Sequence, residues 1–498
     1  MKVYIETFGC QMNRLDEELV RSQLVQAGHE MIGDRKAADA VLYITCSVRK
    51  HAEDKVFSYI GTDAQRKDAG KDVIIGVLGC MAQRLGTTVF RRGRGVDFIC
   101  APGQLFQLPD LLDQAAAGHR GVALDPDRKQ HAQRKRRSST EPEPIPGTPG
   151  GSPGTTPQPA THTEFTPDTQ LAEMTDEQRM DALDLSRDGS MIDGRSQAFV
   201  RVTRGCDNFC SYCIVPFVRG PERSRDPEHV LEEVRRLAGT GRSEITLIGQ
   251  TVNRYRFSEG DRTVRFADLL QQVAEVQGVR RLRFVTSHPL DFTDDILKAM
   301  RDLPNLCEYI HCPPQHGSDR MLKAMNRKYT RAEYDALVDR ARVVVPEVVL
   351  AGDFIVGFPG ETEEDHRQSA DLIRRAGFKN SFIFKYSPRP GTAAAKTMSD
   401  DIPEDFKKLR NNDLLAVQHE VSQAHHDRQV GKRMEILVEG PSPRTEKQDT
   451  PAQPDHMQLV GRTRGDHIVV FYGPQTLSQQ YVTVTITDAA PLTLFAEL

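Results

Sequence analysis

Nowhere in its 498 residues does this chain carry about 18 consecutive apolar residues, the length a helix needs to cross a bilayer. Its first residues, MKVYIETFGC, hold one lysine and an apolar run already broken at Glu6, so no secretory signal is expected. No charge dominates: 66 Lys and Arg stand against 70 Asp and Glu, a net charge of −4. Any contact with nucleic acid must therefore come from local basic patches rather than from the field of the whole chain. No Rossmann glycine fingerprint follows the first strand-like segment. What is present, 38% hydrophobic and 27% charged residues, is the texture of a globular protein. Its length divides into two or three domains. The expected location is the cytoplasm, where thiols stay reduced and cysteines serve as ligands or catalysts.

The nine cysteines are Cys10, Cys46, Cys80, Cys100, Cys206, Cys210, Cys213, Cys307 and Cys312. An odd count at these spacings does not suit a disulfide framework and points to metal chemistry.

The first hundred residues repeat one pattern. Residues 2–6 read as a strand, followed by Cys10 and a helix that Asn13 is placed to cap and Gly28 to end. Residues 40–45 (AVLYIT) precede Cys46 and a helical stretch from Arg49 to Ile60; residues 73–78 (VIIGVL) precede Cys80 and another helical start. Strand, cysteine, helix, three times over, implies a parallel sheet with right-handed crossovers. All three cysteines then lie beyond the carboxyl edge of that sheet, where open α/β folds bind their ligands. A fourth strand-like run, 96–99, leads to Cys100.

The expected organisation is a parallel-sheet domain over 1–115, a flexible linker over 116–191, a partial (β/α)6 barrel over 192–428 and a small all-β barrel over 429–498. The linker contains a basic run (128–137) and a stretch rich in Pro, Gly, Ser and Thr. Such a composition cannot bury enough apolar surface to offset its ordering entropy. Strands of the larger barrel are read at 198–203, 244–249, 281–286, 306–310, 349–356 and 380–386, with helical patterns between them. After a charged helix near 403–428, short alternating strands broken by Gly and Pro run to the end, as in small barrels that bind oligonucleotides.

The sharpest motif is RGCDNFCSYC, 204–213, which sets Cys206, Cys210 and Cys213 in the spacing C-x3-C-x2-C after the first barrel strand. Three close thiolates suit three irons of a [4Fe–4S] cluster, leaving one iron open. They also suit a structural zinc, which needs a fourth Cys or His, and none follows Cys213 closely.

C-x3-C-x2-C with an aromatic, Tyr212, before its last cysteine is similar to the radical-SAM signature. The longer RGCDNFCSYCIVPFVRGPERSR, with TFGCQMNRLDEE, TCSVRKHAEDK, GCMAQR, LIGQTVNRY, FVTSHP and DFIVGFPGETEED, closely resembles the MiaB-type tRNA methylthiotransferases. The terminal GRTRGDHIVVF resembles the TRAM RNA-binding module of the same family. The resemblance covers everything except the linker. It implies two [4Fe–4S] clusters, one held by Cys206, Cys210 and Cys213 and one by Cys10, Cys46 and Cys80, with S-adenosylmethionine bound at the first. It further implies 2-methylthiolation of N6-isopentenyladenosine at position 37 of tRNA. Sulfur comes from or through the second cluster, methyl from a second S-adenosylmethionine, and electrons from a flavodoxin- or ferredoxin-class donor. The means of sulfur resupply is open, and a monomer is expected.

Cofactor contacts at the barrel mouth are expected from Tyr212, Gln250, Asn253, Ser287, Asp353 and Gly357, with His288 and Phe358 beside them. Lys432, Arg433, Arg462 and Arg464 are the candidates for RNA phosphate contacts; Arg462→Ala is expected to weaken RNA binding and flatten its salt dependence. One departure stands out. The family usually reads H-L-P-x-Q-S-G-S after the fourth strand, whereas this chain reads HCPPQHGS, 311–318, with Cys312 for Leu and His316 for Ser. Cys100, Cys307 and Cys312 are expected to be structural. Sister enzymes that act on threonylcarbamoyl-adenosine or on a ribosomal-protein aspartate are the nearest alternatives, but GCQMN after the first strand resembles the MiaB type rather than their GCKVN or GCPKN. A non-catalytic iron–sulfur RNA-binding protein is the alternative from another class.

Overall fold

The computed structural model describes residues 1–47, 50–125, 174–187, 195–443 and 456–498. Its first unit is a six-stranded sheet of β1 (Lys2–Thr7), β2 (Glu30–Met31), β3 (Ala40–Thr45), β4 (Ile74–Gly79), β5 (Phe98–Cys100) and β6 (Gly121–Ala123), in the order β2-β1-β3-β4-β5-β6 with every pair parallel. Both faces are covered, so the central strand β3, AVLYIT, is buried along its whole length. Its alternation assigns the faces: Ala40, Leu42 and Ile44 pack with Leu15, Leu19 and Leu108, while Val41 and Tyr43 pack with Val56 and Ile60.

Several local expectations are corrected. The first helix is Gln11–Gln26 and its N-cap is Cys10, not Asn13. Asn13 is fully buried within the first turn and turns its amide back to the Phe8 carbonyl, 3.4 Å away. The second helix runs from Lys50 to Asp68, well past Ile60. Cys100 lies within β5 and is buried, rather than beyond the strand. The short strands β2 and β6 have too little periodicity to be read from sequence.

At both ends the linker expectation also gives way. Gly121–Ala123 pairs with β5, extending the sheet beyond residue 115. Asp176–Ser186 forms a helix opened by a capping box of Thr175 and Gln178. Its polar sequence hides two apolar anchors one turn apart, Met180 and Leu183, which join the core beneath β1 and β3. Residues 126–173 and 188–194, including the basic run, lie outside the described residues.

The middle unit has β7 (Gln197–Arg201), β8 (Thr203–Arg204), β9 (Arg223–Ser224), β10 (Glu244–Ile248), β11 (Arg256–Glu259), β12 (Arg262–Arg265), β13 (Arg281–Phe284), β14 (Tyr309–His311), β15 (Val349–Val356) and β16 (Asn380–Lys385). Strands β7, β10 and β13 form one parallel sheet and β14, β15 and β16 another, joined by the bridge between Leu282 and Leu306. Together they make the expected six-unit partial barrel, its helices outside. The antiparallel ribbon β8–β9 closes a loop, and that loop carries Cys206, Cys210 and Cys213.

The last unit, β17 (Arg433–Pro441), β18 (Met457–Thr463), β19 (Ile468–Gly473), β20 (Tyr481–Ala490) and β21 (Thr493–Glu497), closes into a barrel in the order β17-β18-β19-β21-β20. Its turn between β18 and β19 docks against the amino ends of the middle strands. Arg281, the first residue of β13, donates to the Arg462 carbonyl (2.9 Å), and Arg283 to those of Thr463 (2.5 Å) and Arg464 (2.7 Å). A Cβ on Gly465 would lie 2.8 Å from Val349, the first residue of β15. The small barrel thus sits at one end of the middle unit and the cysteine loop at the other.

A buried ionic network joins the units. Arg201 bonds Asp184 (2.6 Å) and Asp16 (3.4 Å), Arg219 bonds Asp16 (3.0 Å), and Arg187 bonds Glu18 and Glu233 (2.7 Å each). Burial alone would push the Asp184 carboxyl up, but Arg201, Arg225 and Arg204 hold it well below the usual range. Removing one member strands a buried charge, at a cost of about 3–5 kcal/mol. Among the described residues no helix is long and apolar enough to cross a membrane.

Candidate cluster sites and the barrel mouth

Cys10 follows β1, Cys46 follows β3 and Cys80 follows β4, three neighbouring strands whose carboxyl ends point the same way. Two of these cysteines follow a glycine, and both glycines are needed. Gly9 has φ +148°, and a Cβ there would stand 2.9 Å from the Cβ of Cys46; Gly79 has φ +95°, and a Cβ would stand 2.5 Å from the Thr45 carbonyl oxygen. Cys10 and Cys80 can approach their neighbours because the residue before each has no side chain.

A cation supplied by another unit serves this group. Arg219, six residues beyond Cys213, is buried against Cys80, Cys10 and Asp16. The Cys10 thiol, although exposed, is pushed down to about 6, first by its hydrogen bond with Cys46 and then by the Arg219 guanidinium. Burial pushes the Cys80 thiol up, and Arg219 opposes that rise. Sequence reasoning missed Arg219; its only signal was a place in the long cysteine string.

The second group is built by one loop. Gly205 (φ +70°) lets the chain enter it, since a Cβ there would fall 1.9 Å from the Pro221 carbonyl oxygen. Ser211 N–H donates to the Met325 carbonyl (2.9 Å), Asn326 Nδ2 to the Phe209 carbonyl (2.9 Å) and Cys206 N–H to Gly220 (3.1 Å). Cys206 and Cys210 are buried and Cys213 half-buried. Burial pushes the Cys206 thiol up to about 11 and that of Cys213 higher still. Arg327 NH1 donates to Cys210 Sγ at 3.3 Å.

Among the described residues no three His, Cys, Asp or Glu side chains gather closely enough to hold a single metal ion. A lone zinc needs every sulfur within about 2.3 Å of one centre. Cysteines of an iron–sulfur cube instead bind separate irons. The donor sets, three thiols in each place with an arginine beside each, fit that group.

The expected cofactor residues divide. Gln250 Oε1 and Ser287 Oγ are buried with no hydrogen-bond partner among the described residues, polar atoms left unspent at the ends of β10 and β13. Asn253 differs: its amide donates to the His288 carbonyl and accepts the His288 N–H, both at 2.8 Å, so both ends are committed to backbone. Asp353 Oδ1 faces His311 Nε2 at 3.3 Å. Gly357 (φ +69°) turns the chain after β15, and Phe358 meets Tyr212 of the cysteine loop edge-on at 6.4 Å. Cys312 is buried in the barrel core, and Cys307 is also buried, as expected of structural thiols.

The expected RNA contacts divide as well. Arg462 is engaged by Glu439 (2.8 Å) and Asp466 (2.9 Å), and Arg464 grips Glu308 of the middle unit through two nitrogens (2.6 and 3.0 Å). Both arginines are spent on holding the small barrel together and in place, because carboxylates stand opposite them. Lys432 and Arg433 are exposed, and no ion pair engages them among the described residues. With Arg342 and Arg428 they line a cavity of about 550 Å³ between the middle unit and the small barrel.

Three family profiles match the chain: the Radical SAM superfamily over residues 200–373, the Uncharacterized protein family UPF0004 over 2–101, and the TRAM domain over 427–498. Over its whole length the chain is similar to curated proteins named tRNA-2-methylthio-N(6)-dimethylallyladenosine synthase. It is 41% identical to the one from Rhodopirellula baltica, covering 100% of this chain and 95% of that protein. It is 38% identical to the one from Moorella thermoacetica, covering 99% and 97%. Among solved structures, the radical S-adenosylmethionine methyltransferase TsrM from Kitasatospora setae, with cobalamin and a [4Fe-4S] cluster bound, aligns with a TM-score of 0.49 at 14% identity, covering 79% of this chain and 74% of that one. That likeness is too slight to carry weight.

Proposed function

The chain belongs to the family of tRNA-2-methylthio-N(6)-dimethylallyladenosine synthases, and on that premise we propose that it methylthiolates C2 of N6-isopentenyladenosine at position 37 of tRNA. The observation that carries the proposal is the pair of cysteine triads. Each lies at strand carboxyl ends, on two units bound to each other by Arg201, Arg219 and their carboxylates.

Cys206, Cys210 and Cys213 hold one [4Fe–4S] cluster, with S-adenosylmethionine beside it, and Cys10, Cys46 and Cys80 hold a second. When bound, these groups supply a radical able to take hydrogen from an unactivated C–H bond, together with sulfur and methyl, chemistry that no side chain here performs. The protein contributes placement. Gly9, Gly79 and Gly205 let the thiols approach, Arg219 and Arg327 bring positive charge to the thiolates, and Gln250 and Ser287 offer unspent polar atoms to the cofactor. Arg342, Arg428, Lys432 and Arg433 take RNA phosphates. A flavodoxin- or ferredoxin-class donor supplies electrons to a monomeric, cytoplasmic enzyme.

The test is a mass-spectrometric nucleoside profile of tRNA from cells that lack this activity, with and without the chain. Appearance of 2-methylthio-isopentenyladenosine is expected, lost with Cys10→Ala or Cys206→Ala. A methylthio group on threonylcarbamoyl-adenosine instead would overturn the substrate. No change with a cluster-loaded protein would point to a protein substrate or a non-catalytic role.

A further inference from the structure

The histidine that departs from the family pattern sits in a fully connected polar chain. His316 is 1% exposed and Glu361 3% exposed. The Ser318 backbone N–H donates to His316 Nδ1 at 3.0 Å. A backbone amide can only donate, so Nδ1 carries its lone pair and the ring proton lies on Nε2. That Nε2–H points at Glu361 Oε1, 3.0 Å away. The other oxygen, Oε2, accepts the Gly357 N–H at 2.5 Å and Arg410 NH1 at 2.8 Å.

Neither end of this chain can drift. A Cβ on Gly317 would fall 2.1 Å from the Gln368 carbonyl oxygen, so the loop bearing His316 is pressed against the helix Glu363–Ala376. Gly357 begins the turn whose Phe358 meets Tyr212 of the cysteine loop. We infer that His316 is a positioning residue: it orients Glu361, and through Glu361 it fixes the Gly357 turn that borders the S-adenosylmethionine pocket. The inference rests on the proposed reading of that pocket. It assigns to this chain's own histidine a task that the serine usual at this position cannot perform through the same ring geometry.

Two substitutions of similar polarity separate the ring's two nitrogens. In H316Q the side-chain amide reaches where Nε2 stands and still donates to Glu361. In H316N it reaches only to the Nδ1 position and still accepts from Ser318. With the cluster-loaded enzyme, H316N is expected to raise the S-adenosylmethionine Kd by equilibrium dialysis, and its KM, about tenfold, the worth of one buried hydrogen bond to a charged group. Its kcat at saturation should stay within about twofold, and H316Q should bind within about twofold of wild type. Equal Kd values in the two variants, or a loss of thermal stability alone, would overturn the positioning role. Should H316N not fold, hydrogen exchange in H316Q and H316S decides. Without S-adenosylmethionine the Gly357 amide should stay protected in wild type and H316Q and exchange about tenfold faster in H316S, and equal exchange in H316S and wild type would overturn the role. An amide that exchanges freely until the ligand binds sinks the idea. Failure of the wild type to bind S-adenosylmethionine would count against the proposed function, whereas the hydrogen-exchange result speaks to His316 by itself.

Discussion

The two cysteine triads reach the same outcome by opposite routes. Cys206, Cys210 and Cys213 lie within eight residues of one another, and a single loop pinned by β8 and β9 gathers them. Cys10, Cys46 and Cys80 are spread over seventy-one residues, and only the adjacency of β1, β3 and β4 brings them together. Their electrostatics differ too. Burial holds the metal-free Cys206 thiol of the compact triad up at about 11 and that of Cys213 higher still. The dispersed triad has an exposed member, Cys10, brought down to about 6 beside Cys46 and Arg219. The compact triad takes its charge, Arg327, from its own domain, whereas the dispersed triad borrows Arg219 from a neighbouring one.

The largest effects should come from breaking either triad. Cys206→Ala is expected to abolish both S-adenosylmethionine cleavage and methylthiolation. Cys10→Ala should abolish methylthiolation while leaving cleavage, and each variant should lose about half of the bound iron, since the proposal gives each triad one of two equal clusters. Loss of all iron in either variant would mean the triads are not independent.

Next in size are the glycines that admit the thiols. Gly205→Ala, with its Cβ 1.9 Å from a carbonyl oxygen, should cost about 3 kcal/mol or more in thermal unfolding and empty the compact triad. Gly28→Ala also has positive φ (+82°) but open space around it, and should cost only about 1 kcal/mol. Similar losses at both would show that backbone strain rather than crowding matters.

The thiol contrast can be read directly by iodoacetamide labelling of the metal-free chain. Only the thiolate reacts, so Cys10, with its lowered value, should reach half its plateau rate near pH 6. Cys206, with its raised value, should go on rising toward pH 11. Arg219→Gln should move the Cys10 midpoint upward; coincident profiles would break the comparison.

The smallest effects concern the RNA face. Arg433→Ala and Arg342→Ala should each weaken tRNA binding about threefold and reduce its salt slope by about one. Arg464→Ala should leave that slope unchanged and lower stability by about 1 kcal/mol, because its charge is already spent on Glu308.

Some of this was legible in the sequence and some was not. The repeated strand–cysteine–helix units announced a parallel sheet, and AVLYIT alone reads as a strand buried on both faces. Asn13 was misread as a cap because short polar residues favour that position, yet burial made it an internal prop for the loop before Cys10. The helix Asp176–Ser186 is not legible because its apolar anchors Met180 and Leu183 are few and its Asp184 meets Arg201 and Arg204 only once the chain has folded.

What the sequence determined alone was local: the C-x3-C-x2-C loop, the period-two strands and the glycines that precede Cys10 and Cys80. Adjacent residues and short-range sterics govern all of these. What only the tertiary structure decided was pairing at a distance. It delivered Arg219 to the first triad, spent Arg462 and Arg464 on carboxylates, left Lys432 and Arg433 without an ion pair among the described residues, and joined His316 to Glu361. Charge pairs and buried hydrogen bonds depend on which groups meet after the chain has folded, and sequence spacing carries no record of that meeting.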